Sequence, residues 1–459
     1  MKNYEQYKRM VRFSACMILF TFEMILFYFV WCKIYNRMME VPYYRLGNWM
    51  MFGVYGLVLM VFSYLYGGWN IGSSRVFNLI YSHFLISLFS NTVMYVIATL
   101  LIKAFRTVIP MVVLTAVELL IIMLWSAAAT RIYCRIYPPR KVLLIYGDRP
   151  ASGLMNKIRT GTDRFEIGKA LHISVGVDKL QNEVELYDGV VLGDIPSDIR
   201  NKILKYCYSQ SIRTYTIPKI SDILLKSAES LHTFDTPLLL SRNTGLNIEQ
   251  QLIKRAMDII VSAVILIVSS PVLFITALLI KQHDGGPIFF MQDRCTKDGK
   301  VFKIYKFRSM IVNAEKAGII PATDGDPRIT PIGRVIRKLR IDEFPQLINI
   351  LKGEMSLVGP RPERVEHVQK YSMEIPEFKF RMKVKGGLTG YAQVYGKYNT
   401  TAYDKLKMDL MYIENYSILL DIEILFKTVK ILFMKESTEG FSEEYSQEIH
   451  DECGAYRGD

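Results

Sequence analysis

Four long apolar stretches fill the amino-terminal third of the chain. Each holds about 20 residues, the number that an α-helix needs to cross the hydrocarbon core of a bilayer. The stretches cover residues 13–34, 49–67, 80–102 and 108–129. The first is too long for a cleaved signal peptide, and no small-residue cleavage site follows it. The pattern therefore predicts a membrane α-helical bundle with four spans.

Basic residues flank the first and the last of these stretches. They are Lys2, Lys8, Arg9 and Arg12 before the bundle, and Arg131, Arg135, Arg140 and Lys141 after it. Because lysine and arginine are enriched on the cytoplasmic side of membrane proteins, both ends of the bundle are expected in the cytoplasm. Three ionisable residues, Glu23, His83 and Glu118, lie inside the spans. Such residues are candidates for function, but hydrogen bonding between helices is the favoured interpretation here.

After residue 136 the pattern changes to short apolar strands separated by helical segments. Apolar runs at 141–146, 171–177 and 189–192 alternate with segments such as 197–209. This alternation predicts an α/β domain with a parallel, Rossmann-like sheet. A dinucleotide site would need Gly-x-Gly-x-x-Gly after the first strand, which the segment from Gly147 to Gly153 does not supply. No dinucleotide cofactor is therefore expected in this domain.

Two adjacent carboxylates, Asp342 and Glu343, stand between a basic segment and a proline-rich turn. Pro345 is tolerated only in the first turn of a helix, so the pattern predicts a helix from Asp342 to a stop at Gly353. Asp342 would then be the N-cap, where free N–H groups favour a charged carboxylate and can also hold a phosphate. The alternative is that Asp342 is only a cap and Glu343 only a first-turn acid.

The segment 300–308 alternates apolar and basic residues in the manner of a β-strand. Phe307 is then expected on one face, with Lys306 and Arg308 on the other. Two cations on one face would suit a diphosphate, although lysines also protect the exposed edges of sheets.

Three further arginines surround the carboxylates in the sequence. Arg337 and Arg340 lie three residues apart at the end of a short basic helix, and Arg361 lies between two prolines in a Gly-Pro-Arg-Pro turn. The stiff turn would present a planar guanidinium, which suits phosphate oxygens better than a lysine does.

Composition narrows the choice of partners. The formal net charge is +13 and half of the residues are hydrophobic. Such a charge suits nucleic acid, anionic lipid or phosphorylated small molecules, and the apolar stretches favour lipid over nucleic acid. The six cysteines are scattered without a Cys-x-x-Cys pair, so neither a disulfide framework nor a zinc site is supported.

Ordered motifs over residues 250–434 resemble the bacterial polyprenyl-phosphate glycosyl-1-phosphate transferases, membrane enzymes that begin exopolysaccharide, capsule and O-antigen assembly. The motifs include Lys254-Arg255-Ala-Met-Asp258, Gly285-Gly-Pro287, Lys306-Phe-Arg308-Ser-Met310, Asp342-Glu343-Phe-Pro345-Gln, Gly359-Pro360-Arg361-Pro362, Gly387-Leu-Thr-Gly390 and Asp409-Leu-Met-Tyr412. The first 250 residues compare only with large, multi-span members. The resemblance implies transfer of a sugar phosphate from a nucleotide sugar, with UDP as the expected nucleotide, to polyprenyl phosphate.

The resemblance also implies roles for single residues. Asp342 would be the nucleophile that forms an aspartyl-phosphosugar, and Asp342 or Glu343 would hold Mg²⁺. The residues expected to bind substrate phosphates are Lys306, Arg308, Arg337 and Arg361. Secondary candidates are Arg340, Lys397, Asp409 and Asp421. A one-step transfer with Glu343 as base or metal ligand stays open, as does a catalytically silent scaffold.

The last apolar run, residues 259–280, decides the topology. It is long enough to span, but Ser269-Ser270-Pro271 interrupts it. A fifth crossing would place Asp342 outside the cell, away from nucleotide sugars. A re-entrant helix hinged at Ser270 and Pro271 is therefore expected, with a plain, kinked span as the alternative. Lys254, Arg255 and Lys281 would then reach lipid phosphates on one membrane face.

Four regions follow from these patterns. They are a four-span bundle (1–135), a Rossmann-like cytoplasmic domain (136–247), an α-rich catalytic domain with the re-entrant helix (248–434) and an acidic tail expected to be disordered (435–459). The expected location is the bacterial cytoplasmic membrane, with the catalytic domain facing the cytoplasm. A homodimer is left open.

Overall fold

A computed structural model describes most of the chain. It covers residues 6–72, 75–147, 155, 165–233, 235–241, 245–312, 326–396 and 400–432. The chain divides into two compact units, one within residues 1–217 and the other within residues 218–442. The predicted acidic tail and the candidate Lys397 lie outside the described residues.

Each of the four apolar stretches in the first unit forms one long helix. The helices are α1 (Lys8–Val30), α2 (Arg45–Tyr66), α3 (Val76–Ile102) and α4 (Ile109–Ile136). A π-helical turn, Trp31–Tyr35, extends α1 beyond its last α-helical residue. Together with a later helix of residues 248–284, they make five helices in the described chain that are long and apolar enough to cross a membrane.

Polar side chains connect these helices in their interior. Glu118 of α4 accepts hydrogen bonds from Asn91 Nδ2 of α3 at 2.7 Å and from Tyr55 Oη of α2 at 3.0 Å. Glu23 of α1 accepts one from Ser87 Oγ of α3 at 3.2 Å. All five side chains are buried. The predicted hydrogen bonding between helices is therefore confirmed for both glutamates.

His83, the third ionisable residue of the bundle, is also buried and partnered. Its Nε2 atom lies 3.1 Å from the carbonyl oxygen of Gly68, and its ring meets Trp125 edge-on. The prediction of a hydrogen-bonded residue therefore holds for His83 as well.

The rest of the first unit contains a four-stranded, all-parallel sheet in the order β2-β1-β3-β4. Its strands are β1 (Arg140–Tyr146), β2 (Phe165–His172), β3 (Gly189–Leu192) and β4 (Arg213–Thr216), with helices α5 (Val177–Val184) and α6 (Ser197–Ser209). Leu143 and Val190 lie opposite each other in register, and both are fully buried. The parallel sheet predicted from the alternation of strands and helices is therefore present.

The second unit combines short helices with small sheets. Its first half contains α7 (Ile220–Lys226), β5 (Glu229–Thr233), β6 (Thr236–Leu240), α8 (Ile248–Asp284), β7 (Phe289–Cys295), β8 (Val301–Phe307) and α9 (Pro331–Lys338). Its second half contains α10 (Gln346–Lys352), β9 (Ser356–Val358), α11 (Val365–Glu374), β10 (Gly387–Thr389), α12 (Tyr391–Tyr395), α13 (Ala402–Glu414) and α14 (Ile418–Leu432).

The core of this unit lies where α10, β9 and α13 meet. Ile350, Leu357 and Leu410 are each at most 1% exposed there. Burial of one such side chain contributes about 1.5–3 kcal/mol, so the core holds these short elements together. Val261 and Leu266 of α8 pack against the same core.

Helix α8 is continuous over 37 residues although it contains Pro271. Proline cannot donate to the carbonyl four residues earlier, which is that of Ile267. Ser270 Oγ donates to this carbonyl instead, at 2.8 Å. The Ser-Pro pair therefore replaces the missing backbone hydrogen bond within the helix.

Both halves of α8 contact the rest of the second unit, while the middle of the helix is exposed. Leu266 packs on the core near α10, and Ile280 packs in a separate cluster with Phe307 and Ile336. Between them Val268 is 75% exposed. An apolar helix held at both ends and exposed in the middle is consistent with insertion of the middle into lipid.

Candidate active site

Asp342 and Glu343 lie in a 3-10 turn, Ile341–Glu343, between α9 and α10. Arg340 begins this turn with a left-handed backbone, φ +58°. The α-helix begins only at Gln346, with Pro345 as its N-cap residue, and ends before Gly353 as predicted. The expectation that Asp342 caps the helix is therefore wrong. Residues 341–343 form a 3-10 turn, which is tighter than an α-helical turn, and this turn places the two carboxylates side by side.

One carboxylate oxygen of Glu343 accepts hydrogen bonds from two cationic side chains. Its Oε1 atom accepts from Lys306 Nζ at 2.9 Å and from Arg361 Nη2 at 2.8 Å. Burial alone would raise the pKa of Glu343, but the charges and hydrogen bonds of Arg361 and Lys306 outweigh it and hold that pKa well below its usual range. Glu343 is therefore a permanent anion in this site.

Asp342 has the opposite environment. Its Oδ1 atom is buried and has no hydrogen-bond partner within the described part of the chain. Burial, followed by the charge of Glu343, raises the pKa of Asp342, against the lowering effect of Lys306, Arg337 and Arg340. An unpaired carboxylate oxygen beside several cations is suited to meeting an electrophile or a metal ion.

The four predicted phosphate-binding residues separate into two groups. Lys306 and Arg361 meet at Glu343, and Arg337 lies close enough to affect the charge of Asp342. Arg308, which is buried, instead forms an ion pair with the exposed Asp284 at the end of α8. The structure thus brings three of the four cations to the carboxylates, and Arg308 to the end of α8.

The turn that carries Arg361 leaves β9 beside β10. The two strands are parallel, and Gly359 N donates to Thr389 O at 2.8 Å. A Cβ atom on Gly387 would lie 2.1 Å from the backbone nitrogen of Gly359. Only glycine fits at position 387, so the close approach of the two chains fixes where the turn begins.

The amino-terminal half of α8 holds β9 through buried polar contacts. Lys254 Nζ lies 2.5 Å from Asp421 Oδ2 and 3.1 Å from Tyr412 Oη. Asp258 Oδ1 accepts from Ser356 Oγ and from the backbone N–H of Leu357, both at 3.0 Å. The prediction that Lys254 reaches lipid phosphates is wrong, because its charge is neutralised inside the protein.

Arg255 and Lys281, the other two residues of that prediction, also donate hydrogen bonds within the protein. Arg255 donates to the carbonyls of Ile350 and Leu351, at the carboxyl end of α10. Lys281 donates to the carbonyl of Gly285 at 2.6 Å, just past the end of α8. Both cations therefore complete helix ends, where free carbonyls attract positive charge.

The secondary acid candidates both lie in buried ion pairs. Asp421 pairs with Lys254, as described above, and Asp409 Oδ2 lies 2.8 Å from Arg381 Nη2. Burial raises the pKa of Asp409 to about 6, against the lowering effect of Arg381. Both acids occupy positions that support the turn and the strand around Arg361.

Comparison with known proteins identifies this region. A family model described as bacterial sugar transferase matches residues 249–435. The exopolysaccharide production protein PSS of Rhizobium leguminosarum bv. phaseoli is 40% identical over 186 residues, which are 39% of this chain and 93% of that relative. This chain belongs to the bacterial sugar transferase family. The matched region makes up nearly the whole of the Rhizobium protein, so within the family it occurs as an almost complete chain.

Two longer relatives extend the match. The UDP-N-acetylgalactosamine-undecaprenyl-phosphate N-acetylgalactosaminephosphotransferase of Aeromonas hydrophila is 40% identical over 54% of this chain and 59% of its own length. The UDP-glucose:undecaprenyl-phosphate glucose-1-phosphate transferase of Klebsiella pneumoniae is 35% identical over 62% of this chain and 58% of its own. The match thus spans rather more than half the length of these two relatives.

A metal in this bacterial sugar transferase would have few protein ligands. The described residues contain no group of three or more His, Cys, Asp or Glu side chains that could hold one. Mg²⁺, however, is commonly held by one or two carboxylates together with substrate phosphates. The unpartnered Oδ1 of Asp342, beside a second carboxylate, fits that pattern.

Sequence reasoning missed Arg381 and the structural roles of Lys254 and Asp258. Lys254 and Asp258 lie four residues apart on α8, and Val261 and Ile265 continue that helix face into the core. This spacing could have indicated inward-facing charges. Arg381 lies in the 3-10 segment Pro376–Lys383, where no periodic signal indicates burial.

Proposed function

We propose that this protein transfers a sugar phosphate from a UDP-sugar to polyprenyl phosphate, releasing UMP, as the first step of exopolysaccharide, capsule or O-antigen assembly. The observation that carries the proposal is the contrast between two adjacent carboxylates. Asp342 has an oxygen without a hydrogen-bond partner among the described residues, whereas Glu343 is held by Lys306 and Arg361. The printed names of the Aeromonas and Klebsiella relatives describe transfers of this class.

In the first step, a carboxylate oxygen of Asp342 attacks the β-phosphorus of the UDP-sugar. A bond forms between that oxygen and phosphorus, and the bond from the β-phosphorus to the bridging oxygen breaks. The electron pair leaves with UMP, and an aspartyl-phosphosugar remains. The ionised form of Asp342 is the nucleophile, so the surrounding cations favour the reactive state.

In the second step, an oxygen of polyprenyl phosphate attacks the same phosphorus. The bond to Asp342 breaks, the aspartate returns to its starting form, and polyprenyl-diphosphate-sugar is released. Charge builds up on phosphate oxygens in both steps, and Arg361, Lys306 and Arg337 lie where they can offset it. Glu343 holds Lys306 and Arg361 in place for this role.

We propose Mg²⁺ as the cofactor, held by Asp342 with Glu343 beside it. When bound, the ion would neutralise diphosphate oxygens and stabilise the departing UMP. The unpartnered Oδ1 atom of Asp342 supports this assignment.

We also propose that α8 is re-entrant and that the catalytic unit faces the cytoplasm. A straight helix of 37 residues would be ~55 Å long, well beyond the ~30 Å hydrocarbon core. The two ends of a spanning helix would lie on opposite sides of the membrane. Asp258 before the exposed middle of α8 and Asp284 after it, however, contact the same compact unit. Four spans with cytoplasmic ends and a Rossmann-like domain complete this arrangement.

The test is an assay of membranes that contain the protein, with polyprenyl phosphate and a panel of UDP-sugars. We expect UMP release with at least one sugar and dependence on added polyprenyl phosphate. A catalytically silent scaffold would release no UMP with any of them, and that result would overturn the proposal.

A further inference from the structure

The turn that presents Arg361 is poor in backbone donors. Pro360 and Pro362 have no N–H group, so the turn depends on hydrogen bonds to its carbonyl oxygens. Gly387 N donates to the carbonyl of Pro360 at 2.9 Å, and Cys295 N donates to that of Glu363 at 3.0 Å. The first and last carbonyls of the segment 360–363 are thus held by two neighbouring strands.

Arginine side chains hold the two carbonyls between them. Arg381 Nη2 donates to the carbonyl of Arg361 at 3.0 Å, and Arg294 Nη1 donates to that of Pro362 at 3.1 Å. Each carbonyl from residue 360 to residue 363 therefore has a donor from another element. Arg381 is the donor at the residue whose side chain reaches Glu343.

Arg381 is itself fixed from several sides. It is 5% exposed, its Nη2 atom lies 2.8 Å from Asp409 Oδ2, and its Nη1 atom lies 3.6 Å from Glu363 Oε1. Its guanidinium lies 4.9 Å from the ring centre of Phe378. A buried arginine with an acid partner and an aromatic neighbour has few alternative positions, so it can act as a rigid donor.

The two arginines differ in access. The side chain of Arg361 is 40% exposed and donates to Glu343, whereas that of Arg381 is 5% exposed. A substrate phosphate can reach Arg361 without meeting Arg381. Any effect of Arg381 on the reaction therefore passes through the turn.

We propose that Arg381 is a positioning residue for the transfer. It fixes the peptide carbonyl of Arg361 so that the Arg361 guanidinium faces both Glu343 and the diphosphate of the donor. Asp409 orients Arg381, which gives that acid a positioning role and removes it from the candidates for proton transfer. The inference rests on the proposed function, since it assigns Arg381 to that reaction.

The experiment is a double-mutant cycle with Arg381→Gln, Arg361→Gln and the double variant. Misplacing a substrate-binding group by about 1 Å can cost on the order of a hundredfold in rate. We expect Arg381→Gln as a single substitution to lower kcat/KM by roughly that factor. In the Arg361→Gln background we expect no more than about a threefold further loss, because residues that act as one unit are not additive. Single-turnover assays with excess enzyme keep the slow variants measurable.

Two more variants separate positioning from folding. Arg381→Lys keeps a donor and a partner for Asp409, so it should recover part of the lost activity, whereas Arg381→Met should not. Lys379→Gln removes an exposed charge from the same 3-10 segment and is the matched control, with activity unchanged. Melting temperatures that fall in parallel with activity across the Arg381 variants, without recovery by lysine, would assign Arg381 to folding alone.

The outcomes also separate the two proposals. If the unaltered chain turns over a UDP-sugar and the losses in the cycle add, Arg381 acts independently of Arg361 and this inference is overturned alone. If the unaltered chain turns over no UDP-sugar, the proposed function fails and takes this inference with it.

Discussion

Asp342 and Glu343 are neighbours in the chain, yet the pKa values of their carboxyl groups are shifted in opposite directions. Burial and the charge of Glu343 raise the pKa of Asp342, whereas Arg361 and Lys306 overcome burial and depress the pKa of Glu343. Two carboxylates with separated pKa values usually have separate roles. Here Glu343 organises the cations, and Asp342 is the group left free to react.

Asp342→Asn is expected to abolish the covalent intermediate. An amide oxygen is a far weaker nucleophile than a carboxylate, so no bond to phosphorus should form. The measurement is incubation with UDP-sugar labelled at the β-phosphorus, without polyprenyl phosphate, followed by detection of label on the denatured protein. The unaltered chain should carry label. Label of equal intensity on Asp342→Asn would place the nucleophile elsewhere.

The fall of kcat/KM at acidic pH, the acidic limb of the profile, should report protonation of Asp342, because only its ionised form is the nucleophile. Arg337 lowers the pKa of Asp342, so Arg337→Gln should raise that pKa and move the limb of kcat/KM to higher pH. Glu343 raises the pKa of Asp342, so Glu343→Gln should move the limb to lower pH. Arg337→Lys keeps the charge and should leave the limb in place. Shifts of both neutral variants in one direction would contradict the assignment.

A divalent cation should bind at Asp342 and be needed for turnover. We expect a chelator to stop UMP release and Mg²⁺ to restore it. Binding can be followed without turnover by the electron paramagnetic resonance signal of Mn²⁺ in the presence of UDP. Asp342→Asn should weaken this binding, while Glu374→Gln, which removes an exposed acid at the end of α11, should not. Equal Mn²⁺ binding by Asp342→Asn would exclude Asp342 as a ligand.

The buried pair of Lys254 and Asp421 gives a prediction on stability. Lys254→Met would leave Asp421 charged and unpaired in the interior, which costs about 3–5 kcal/mol of unfolding free energy. Asp421→Asn in addition should recover part of this loss, because the amide can still accept from Tyr412. Lys281→Met, at an exposed position on the same helix, is the matched control and should change stability by less than about 0.5 kcal/mol. Denaturant titration in detergent measures all four proteins.

Local patterns predicted the long helices well because length and hydropathy suffice to identify them. The end of α10 at Gly353 was also predictable, since its φ of +84° favours glycine. The start of that helix was not, because Pro345 is compatible with several positions in a first turn and only the contacts of residues 341–343 select one.

Contacts distant in sequence account for the rest. Lys254 and Asp421 are 167 residues apart, and Arg381 lies 20 residues from the carbonyl that it holds. A lysine before an apolar run reads as a membrane anchor, and only the folded core shows that its charge is neutralised internally. In contrast, the sequence alone identified Lys306, Arg361 and the two carboxylates as candidate site residues. Charged residues grouped beside turn residues are seldom needed for folding alone.

The topology of α8 gives the last prediction. Glu249 and His283 are exposed near its two ends, and the contacts of Asp258 and Asp284 hold both ends to one compact unit. Cysteines introduced at these two positions, in a chain whose own cysteines are replaced by serine, should therefore react from the same side of the membrane. The reagent is a maleimide that cannot cross membranes.

Both cysteines should be protected in spheroplasts and labelled in inverted vesicles. Val41→Cys is the control for the other side, because residue 41 lies between α1 and α2 and should be outside if both ends of the bundle are cytoplasmic. Labelling of Glu249→Cys and His283→Cys from opposite sides would mean that α8 spans the bilayer. The contacts at Asp258 and Asp284 could not then both exist in the membrane-bound protein, and the re-entrant arrangement would be wrong.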